Sequence, residues 1–240
     1  MASFGRFLGK ILSLPLSLIP QKAEVRILRG PLRGMKWIKG AGPNAYWLGT
    51  YEVARVHAFA KAPTQGAVVY DVGANVGVYS LLASLQVGTS GKVYAFEPLE
   101  RNLRYLRQHI ALNNLQNCII FETAVSNTEG TRPFSAAGWD ASMARLSSDG
   151  DILVPSTTLD SCIYGENGLC PPDIIKIDVE GAELEVLEGA SRTLTEFHPK
   201  MFLEIHGTQL HADCRTFLLA KGYDVEEGYA ELTATWGPIR

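Results

Sequence analysis

The sequence of 240 residues predicts an α/β fold: a mostly parallel sheet with helices on both faces, preceded by a short helix/β extension. Three observations carry that expectation. From Pro63 onward, short apolar runs alternate with amphipathic stretches of helical period. A glycine-rich turn, Asp71-Val-Gly73-Ala-Asn75-Val-Gly77, lies between the first such run and the first such stretch. The next apolar run ends in an acid, Glu97. The length suits one domain with an extension, which divides the chain into residues 1–62 and 63–240.

In the extension, residues 24–38 alternate apolar and basic side chains around Gly30-Pro31, which predicts two short strands joined by a turn. Residues 40–50 are rich in glycine and aromatics and read as a substrate-side loop. Residues 51–61 have helical spacing, with Val53, Val56 and Phe59 or Ala60 on one side. In the main domain, residues 67–72 form a continuous apolar run ending in an acid, as expected of a strand buried on both faces. A helix follows over 77–86, a strand over 92–97, a helix over 99–113 with Leu103, Leu106 and Ile110 inward, and a strand over 118–121. Residues 173–178 predict a strand, 182–190 a helix with Leu184 and Leu187 facing in, 200–206 a strand, and 208–221 a helix closed by Gly222. Strands separated by helices pair in parallel through right-handed crossovers. The stretch 127–160 breaks this rhythm. It is rich in Ser, Thr, Gly and Asp, contains Trp139 and Met143, and reads as a long functional loop.

Composition narrows the function. Hydrophobic residues make up 46% and charged residues 20%, which excludes a wholly disordered chain. The apolar run Ile11–Ile19 is far shorter than the roughly 20 residues a membrane-spanning helix needs, so a polytopic membrane protein is excluded. A net charge of -3 speaks against a nucleic-acid binder. Charge is uneven, however: residues 1–40 hold eight basic residues and one acid, and the rest of the chain is acidic. For the first 23 residues three readings are open: a helix packed on the domain or a partner, an amphipathic segment in peripheral contact with a membrane through residues 1–40, or a cleaved signal. Cys118, Cys162, Cys170 and Cys214 are dispersed and form no CxxC pair, which predicts reduced thiols in a cytoplasmic, or membrane-associated, protein.

The glycine turn has the strand–turn–helix context of a nucleotide-binding loop. Gly73 permits a sharp backbone turn, and Gly77 lets the helix begin close to a ligand and to the sheet. A helix N-terminus there presents free N–H groups to an anion. Glu97, twenty residues beyond Gly77 at a strand end, is placed to accept hydrogen bonds from the two ribose hydroxyls of a nucleoside. The dinucleotide fingerprint G-x-G-x-x-G is absent, since Asn75 and Val78 stand where it needs glycines. That weakens one alternative, a nucleotide-dependent oxidoreductase.

D-x-G-x-N-x-G resembles the first motif of Rossmann-like methyltransferases. The segments DVGANVGVYS (71–80), YAFEPLERNLRYLRQHIALNN (94–114), AVSNTEG (124–130), TTLD (157–160), IIKIDVEGAELEVLEGA (174–190) and FLEIHG (202–207) together resemble the FkbM family of S-adenosylmethionine (SAM) methyltransferases. The resemblance implies a class I methyltransferase fold, a seven-stranded sheet with an antiparallel last strand. It also implies methyl transfer, usually to oxygen, on sugars, lipids or secondary metabolites. It places Asp71, Gly73, Asn75 and Gly77 along the methionine half of SAM, Glu97 on the ribose, and Ala124, Val125 and Ser126 near the adenine. A non-catalytic SAM-binding module is the other alternative.

Methyl transfer to a hydroxyl needs a base within reach of the nucleophile. Asp178 and Glu180 follow the 173–178 strand, and Glu204 and His206 end the 200–206 strand, where open α/β sheets bind ligands. His206 is the natural base by its unperturbed pKa, with Asp178 and Glu180 orienting substrate or SAM; capping of the next helix is the plainer role for both acids. Lys176 shares a face with Asp178 and predicts a salt bridge. Asp178, Glu180, Glu204 and His206 are also compatible with a hard cation, yet the Asp-Asn ligand pairing of Mg²⁺-dependent relatives is not visible, so no metal is assigned. Tyr46, Trp47, Tyr51, Glu52, Trp139 and Asp140 are candidates for an acceptor pocket or lid. The acceptor expected is a small molecule, glycan or lipid-linked hydroxyl.

Overall fold

The structure is a computed structural model, and it describes residues 16–135, 145–146, 149–166, 168–228 and 231–237. The extension begins with β1 (Glu24–Arg26) and β2 (Lys36–Ile38), an antiparallel pair in which Val25 faces Trp37. Helices α1 (Asn44–Leu48) and α2 (Val53–Phe59) follow. The main domain runs β3 (Val68–Val72), α3 (Val78–Val87), β4 (Lys92–Phe96), α4 (Glu100–Leu112) and β5 (Cys118–Phe121). Next come β6 (Ala124–Val125), β7 (Gly130–Ser135), β8 (Arg145–Leu146), β9 (Ile152–Thr157) and α5 (Leu159–Tyr164). The chain then forms β10 (Ile174–Ile177), α6 (Glu183–Glu188), α7 (Ser191–Phe197), β11 (Lys200–Glu204), α8 (Thr208–Ala220), β12 (Tyr223–Gly228) and β13 (Glu231–Trp236).

Seven strands form one sheet in the order β12-β13-β11-β10-β3-β4-β5. Every neighbouring pair is parallel except those of β13, which runs antiparallel to both β11 and β12. The seven-stranded sheet with an antiparallel last strand is therefore as the resemblance implies. The order reverses between β3 and β10, and the carboxyl ends of those two strands flank the place where doubly wound sheets bind ligands.

Four segments differ from expectation. Residues 40–50 are not all loop: Pro43 precedes a helical turn, Tyr46 and Trp47 bury their rings from it, and Gly49 ends it at φ +71. The described part of the 127–160 stretch contains three strands, β7, β8 and β9. β7 pairs with β9, and β6, β9, β7 and β8 make a four-stranded sheet beside the main one. β9 buries Val154 and Ser156 on the same side, so no apolar alternation betrays the strand in the sequence. Trp139, Asp140 and Met143 lie outside the described residues, as do residues 1–15. Val53 is exposed rather than packed, and in α6 the inward residues are Glu183, Val186 and Leu187, with Leu184 only partly covered.

Among the described residues, the extension has no core of its own. Trp37, Tyr46, Trp47, Val56 and Phe59 belong to the same buried cluster as Val69, Leu81, Leu82 and Val93 of the main domain. His109 of α4 pins the junction. Its Nε2 accepts the Ile38 N–H at 3.0 Å, its Nδ1 lies 2.8 Å from the Val76 carbonyl, and its ring stacks on Trp37 at 3.8 Å. Among the described residues, no helix is long and apolar enough to cross a membrane.

Burial pushes the His109 pKa down to about 4. The folded state therefore resists a proton that the unfolded chain takes up near pH 6.5, so stability is full above pH 6.5 and is lost as pH falls toward 4. Between pH 7 and pH 5 this group should cost about 2 kcal/mol. Urea unfolding should show that loss in the parent, and His109→Gln should lose less over the same interval by about that amount; equal pH dependence in both would remove His109 from this role.

Candidate active site

A cleft of about 560 Å³ opens at the carboxyl ends of β3, β4 and β10. Its walls include Gly73, Asn75, Glu97, Asn102, Asp178 and Glu180. Gly73 has φ +79, and a Cβ there would fall 1.8 Å from the Asp178 carbonyl oxygen, so only glycine lets the β3–α3 loop press against the β10–α6 turn. Asn75 adopts φ +51, a conformation asparagine tolerates better than most residues.

Glu97 is 4% exposed. One carboxylate oxygen accepts the Asn75 N–H at 2.9 Å and the other accepts the Leu99 N–H at 2.8 Å. Burial nonetheless raises its pKa to about 7. The Asn102 side chain also hydrogen-bonds this carboxylate, which with about four acceptor sites keeps capacity for a ribose hydroxyl. Asn102 Oδ1, on the same wall, is buried and lacks a hydrogen-bond partner among the described residues. The glycine cradle, the carboxylate and this orphaned acceptor fit an adenosyl ligand with a ribose diol.

Not every expected cofactor residue faces the cleft. Ala124 and Val125 line it, but Ser126 is fully buried and bonded to Ser156 Oγ at 2.9 Å. Gly77 serves packing, since a Cβ there would meet Leu106 Cδ1 at 2.6 Å. Asp71 lies beneath the loop, where its Oδ2 accepts from Ser80 Oγ at 2.5 Å. Burial raises the Asp71 pKa, opposed by Lys176. Asp71 thus supports the loop from beneath, whereas Ser126 ties β6 to β9 of the second sheet.

The second half of the site is a chain of charges. Lys176, 5% exposed, lies 3.1 Å from Asp178 Oδ2 and beneath the Tyr79 ring. Burial alone would strip its proton, but Asp178 and Asp71 outweigh burial and raise its pKa. Glu180 sits in the turn at φ +56, and burial lifts its pKa to about 7 against the opposing pull of His206. His206 Nδ1 lies 3.1 Å from Glu183 Oε1, and its Nε2 lies 3.3 Å from Glu180 Oε2. The bond to Glu183 chiefly holds the His206 pKa at about 9. A protonated imidazole has no lone pair to offer, so this setting weighs against the expected role of His206 as the base.

Capping by Asp178 and Glu180 is also not what the turn does. The Gly181 N–H is taken by Glu183 Oε1 at 3.0 Å, and Ala182 precedes the helix with no side-chain cap. Asp178, Glu180 and His206 bring ligand atoms within 4.8 Å of one another, the one such group among the described residues. Lys176 and protonated His206 already supply positive charge there. Glu204 does not join them, because Arg55 holds it at 2.5 Å together with Glu52 and Glu231. Tyr46 and Tyr51 border a smaller compartment with Asp178 and Lys176, whereas Trp47 is buried in the core and Glu52 accepts from Tyr79 Oη.

Sequence reasoning gave Glu183, the acid that opens the 182–190 helix, no role of its own and missed Asn102. Glu183 had a signal: it shares the inward stripe of α6 with Val186 and Leu187, and a fully buried acid demands a partner. Asn102 had none, because its burial depends on how α4 leans over the end of β4.

The strand order, the glycine loop after the first core strand and the acid at the end of the second define a class I methyltransferase fold. The same architecture occurs in the methyltransferase FkbM of Methylobacillus flagellatus (TM-score 0.51, 18% identity, covering 79% of this chain and 52% of that one). It occurs also in a SAM-dependent O-methyltransferase of Thermotoga maritima (TM-score 0.52, 14% identity, 92% of this chain and 79% of that one). Residues 71–225 match the methyltransferase FkbM domain, and the chain belongs to that family. It is 31% identical over 152 residues to the hexuronic acid methyltransferase AglP of Haloferax volcanii, covering 58% of this chain and 56% of the relative. It is also 31% identical over 148 residues to the 2-O-methyltransferase NoeI of Sinorhizobium fredii, covering 54% and 59%. The chain thus spans a little over half the length of these relatives.

NMR titration of the His206 ring should give a midpoint near pH 9, and Glu183→Gln should lower it by about a unit or more, toward the unperturbed value. An unshifted midpoint in the variant would assign the raised pKa to another neighbour.

Proposed function

We propose that this protein transfers a methyl group from SAM to a hydroxyl of a small molecule or sugar, with Glu180 as the base. The observation that carries the reading is Glu180 itself: a carboxylate on the cleft wall, its pKa raised to about 7, beside a histidine that stays charged. When bound, SAM supplies a methyl group on a positively charged sulfur. Glu97 accepts a ribose hydroxyl, and the Gly73–Gly77 loop backbone bounds the methionine side. Glu180 would take the proton of the acceptor hydroxyl, and a bound SAM would supply the methyl group to that oxygen, its sulfur keeping the bonding pair and leaving as S-adenosylhomocysteine. A base with a pKa near the working pH is best matched to this task. Asp178, held by Lys176, orients the acceptor, and His206 acts as a positioning residue whose charge keeps Glu180 ionised. The names of the relatives, one acting on hexuronic acid and one a 2-O-methyltransferase, support oxygen as the methylated atom and a sugar-like acceptor.

Turnover needs ionised Glu180, so it should fall as pH drops below 7. With isotope-labelled SAM and a panel of glycosides, Glu180→Gln should lower kcat by roughly 10²–10⁴-fold. Calorimetry with S-adenosylhomocysteine should find its affinity intact in that variant. His206→Asn should move the acid limb of the profile upward, because the imidazolium lowers the Glu180 pKa. An unmoved limb would leave His206 a purely structural role.

Protonated Glu97 accepts poorly from ribose hydroxyls, so S-adenosylhomocysteine affinity should decline below pH 7. Glu97→Ala should weaken it by about 1–3 kcal/mol at pH 8. Undiminished binding by calorimetry would take the ribose away from Glu97.

A further inference from the structure

A second groove, of about 340 Å³, lies on the extension side of the molecule. It shares Tyr46, Tyr51 and Val78 with the compartment that reaches Gly73, Asn75 and Asp178, so the two spaces adjoin. Its floor is apolar, formed by side chains such as Ile27, Leu32 and Val56. Its two ionisable side chains apart from the tyrosines are Arg29 and His57, and no carboxylate lines it. Both are exposed, and among the described residues neither has an ion pair or a side-chain hydrogen bond. The loop bearing Arg29 is fixed in place. The Leu28 N–H donates to the Trp47 carbonyl at 2.9 Å, and a Cβ on Gly49 would come 2.3 Å from the Arg29 carbonyl oxygen. His57 Nε2 lies 4.0 Å from where a Cβ on Gly30 would stand, on the other side of the same loop. Arg33 and Arg26 add positive charge nearby in sequence, and residues 1–40 contain a single acid, Glu24.

From this juxtaposition we propose that the groove is the acceptor's entry and holds an anionic group, a carboxylate or a phosphate, on Arg29 and His57. The acceptor hydroxyl then reaches past Tyr46 and Tyr51 to Asp178 and Glu180. The inference rests on the methyl-transfer reading and names the substrate class for it. The physical argument is complementarity of charge. An unpaired guanidinium beside an apolar floor is a poor seat for a neutral sugar and a good one for an anion, which it binds through charge-assisted, bidentate hydrogen bonds. The main body of the chain is acidic and offers a negatively charged ligand no comparable seat in the cleft, where Asp178, Glu180 and Glu97 gather. Charge at the mouth also raises the local concentration of an anionic acceptor.

The test is direct binding to the full chain saturated with S-adenosylhomocysteine, using p-nitrophenyl β-D-glucuronide, glucose 1-phosphate and the neutral p-nitrophenyl β-D-glucoside as probes. At least one anionic probe should bind roughly tenfold or more tighter than the neutral glucoside, the scale of one charge-assisted contact. Which anion binds more tightly distinguishes an acidic sugar from a phosphate-bearing one. Arg29→Gln should erase the preference, Arg29→Lys should restore part of it, and added salt should weaken it. Equal binding of charged and neutral probes, no binding of either anion at millimolar levels, or a preference that survives Arg29→Gln would each overturn the proposal. Retention of S-adenosylhomocysteine by Arg29→Gln shows that its fold is intact. Failure of the parent protein to bind S-adenosylhomocysteine at all would instead count against the methyl-transfer reading.

Discussion

Lys176 is the charge on which the site is built. It stands in β10, directly across the ladder from Asp71 of β3, and is buried between Asp71 and Asp178. A lone buried ammonium would be costly, and so would two buried carboxylates. The three together are tolerable, and they tie the strand before the glycine loop to the strand before the acidic turn. With Gly73 pressed against the Asp178 carbonyl, this fixes the two loops that bound the cleft at the switch point of the sheet. Removing Lys176 leaves two carboxylates without their cation, so the cleft is held by electrostatics as well as by packing.

The same logic extends outward. Glu183 has no exposure and meets His206, which in turn faces Glu180. Each member changes the proton affinity of the next. Glu183 keeps the imidazole charged, and the imidazolium keeps Glu180 from rising further. A lone histidine at a strand end would titrate near neutral pH, but this one is the counter-ion of two carboxylates. On the far side of the turn Arg55 collects Glu52, Glu204 and Glu231. That brings α2 of the extension against the end of the sheet and keeps Glu204 away from His206.

The extension is therefore part of the catalytic domain in the physical sense. Its aromatic side chains complete a core begun by β3, β4 and α3, and Tyr46 and Tyr51 border the compartment that reaches Asp178 and Lys176. His109 shows how closely the two are joined: one ring accepts from Ile38 in the extension and meets Val76 in the glycine loop. Read in isolation, that histidine has no evident partner in sequence, because both partners are more than thirty residues away.

What the residue order determined by itself is local and periodic. Alternation of apolar runs with amphipathic stretches specifies strands and helices, and glycine and asparagine at 73–77 specify the turn, since few other residues adopt its dihedrals. The acid at 97 follows from strand length, and Lys176 with Asp178 from the two-residue repeat of a strand. The tertiary structure decided the rest, for a physical reason: proton affinity and access depend on neighbours brought from distant segments. Only assembly gives His206 two carboxylates, turns Ser126, Gly77 and Asp71 inward, joins β6, β7, β8 and β9 into a second sheet through their mutual ladders, and opens a groove lined by Arg29 and His57 between the extension and the site.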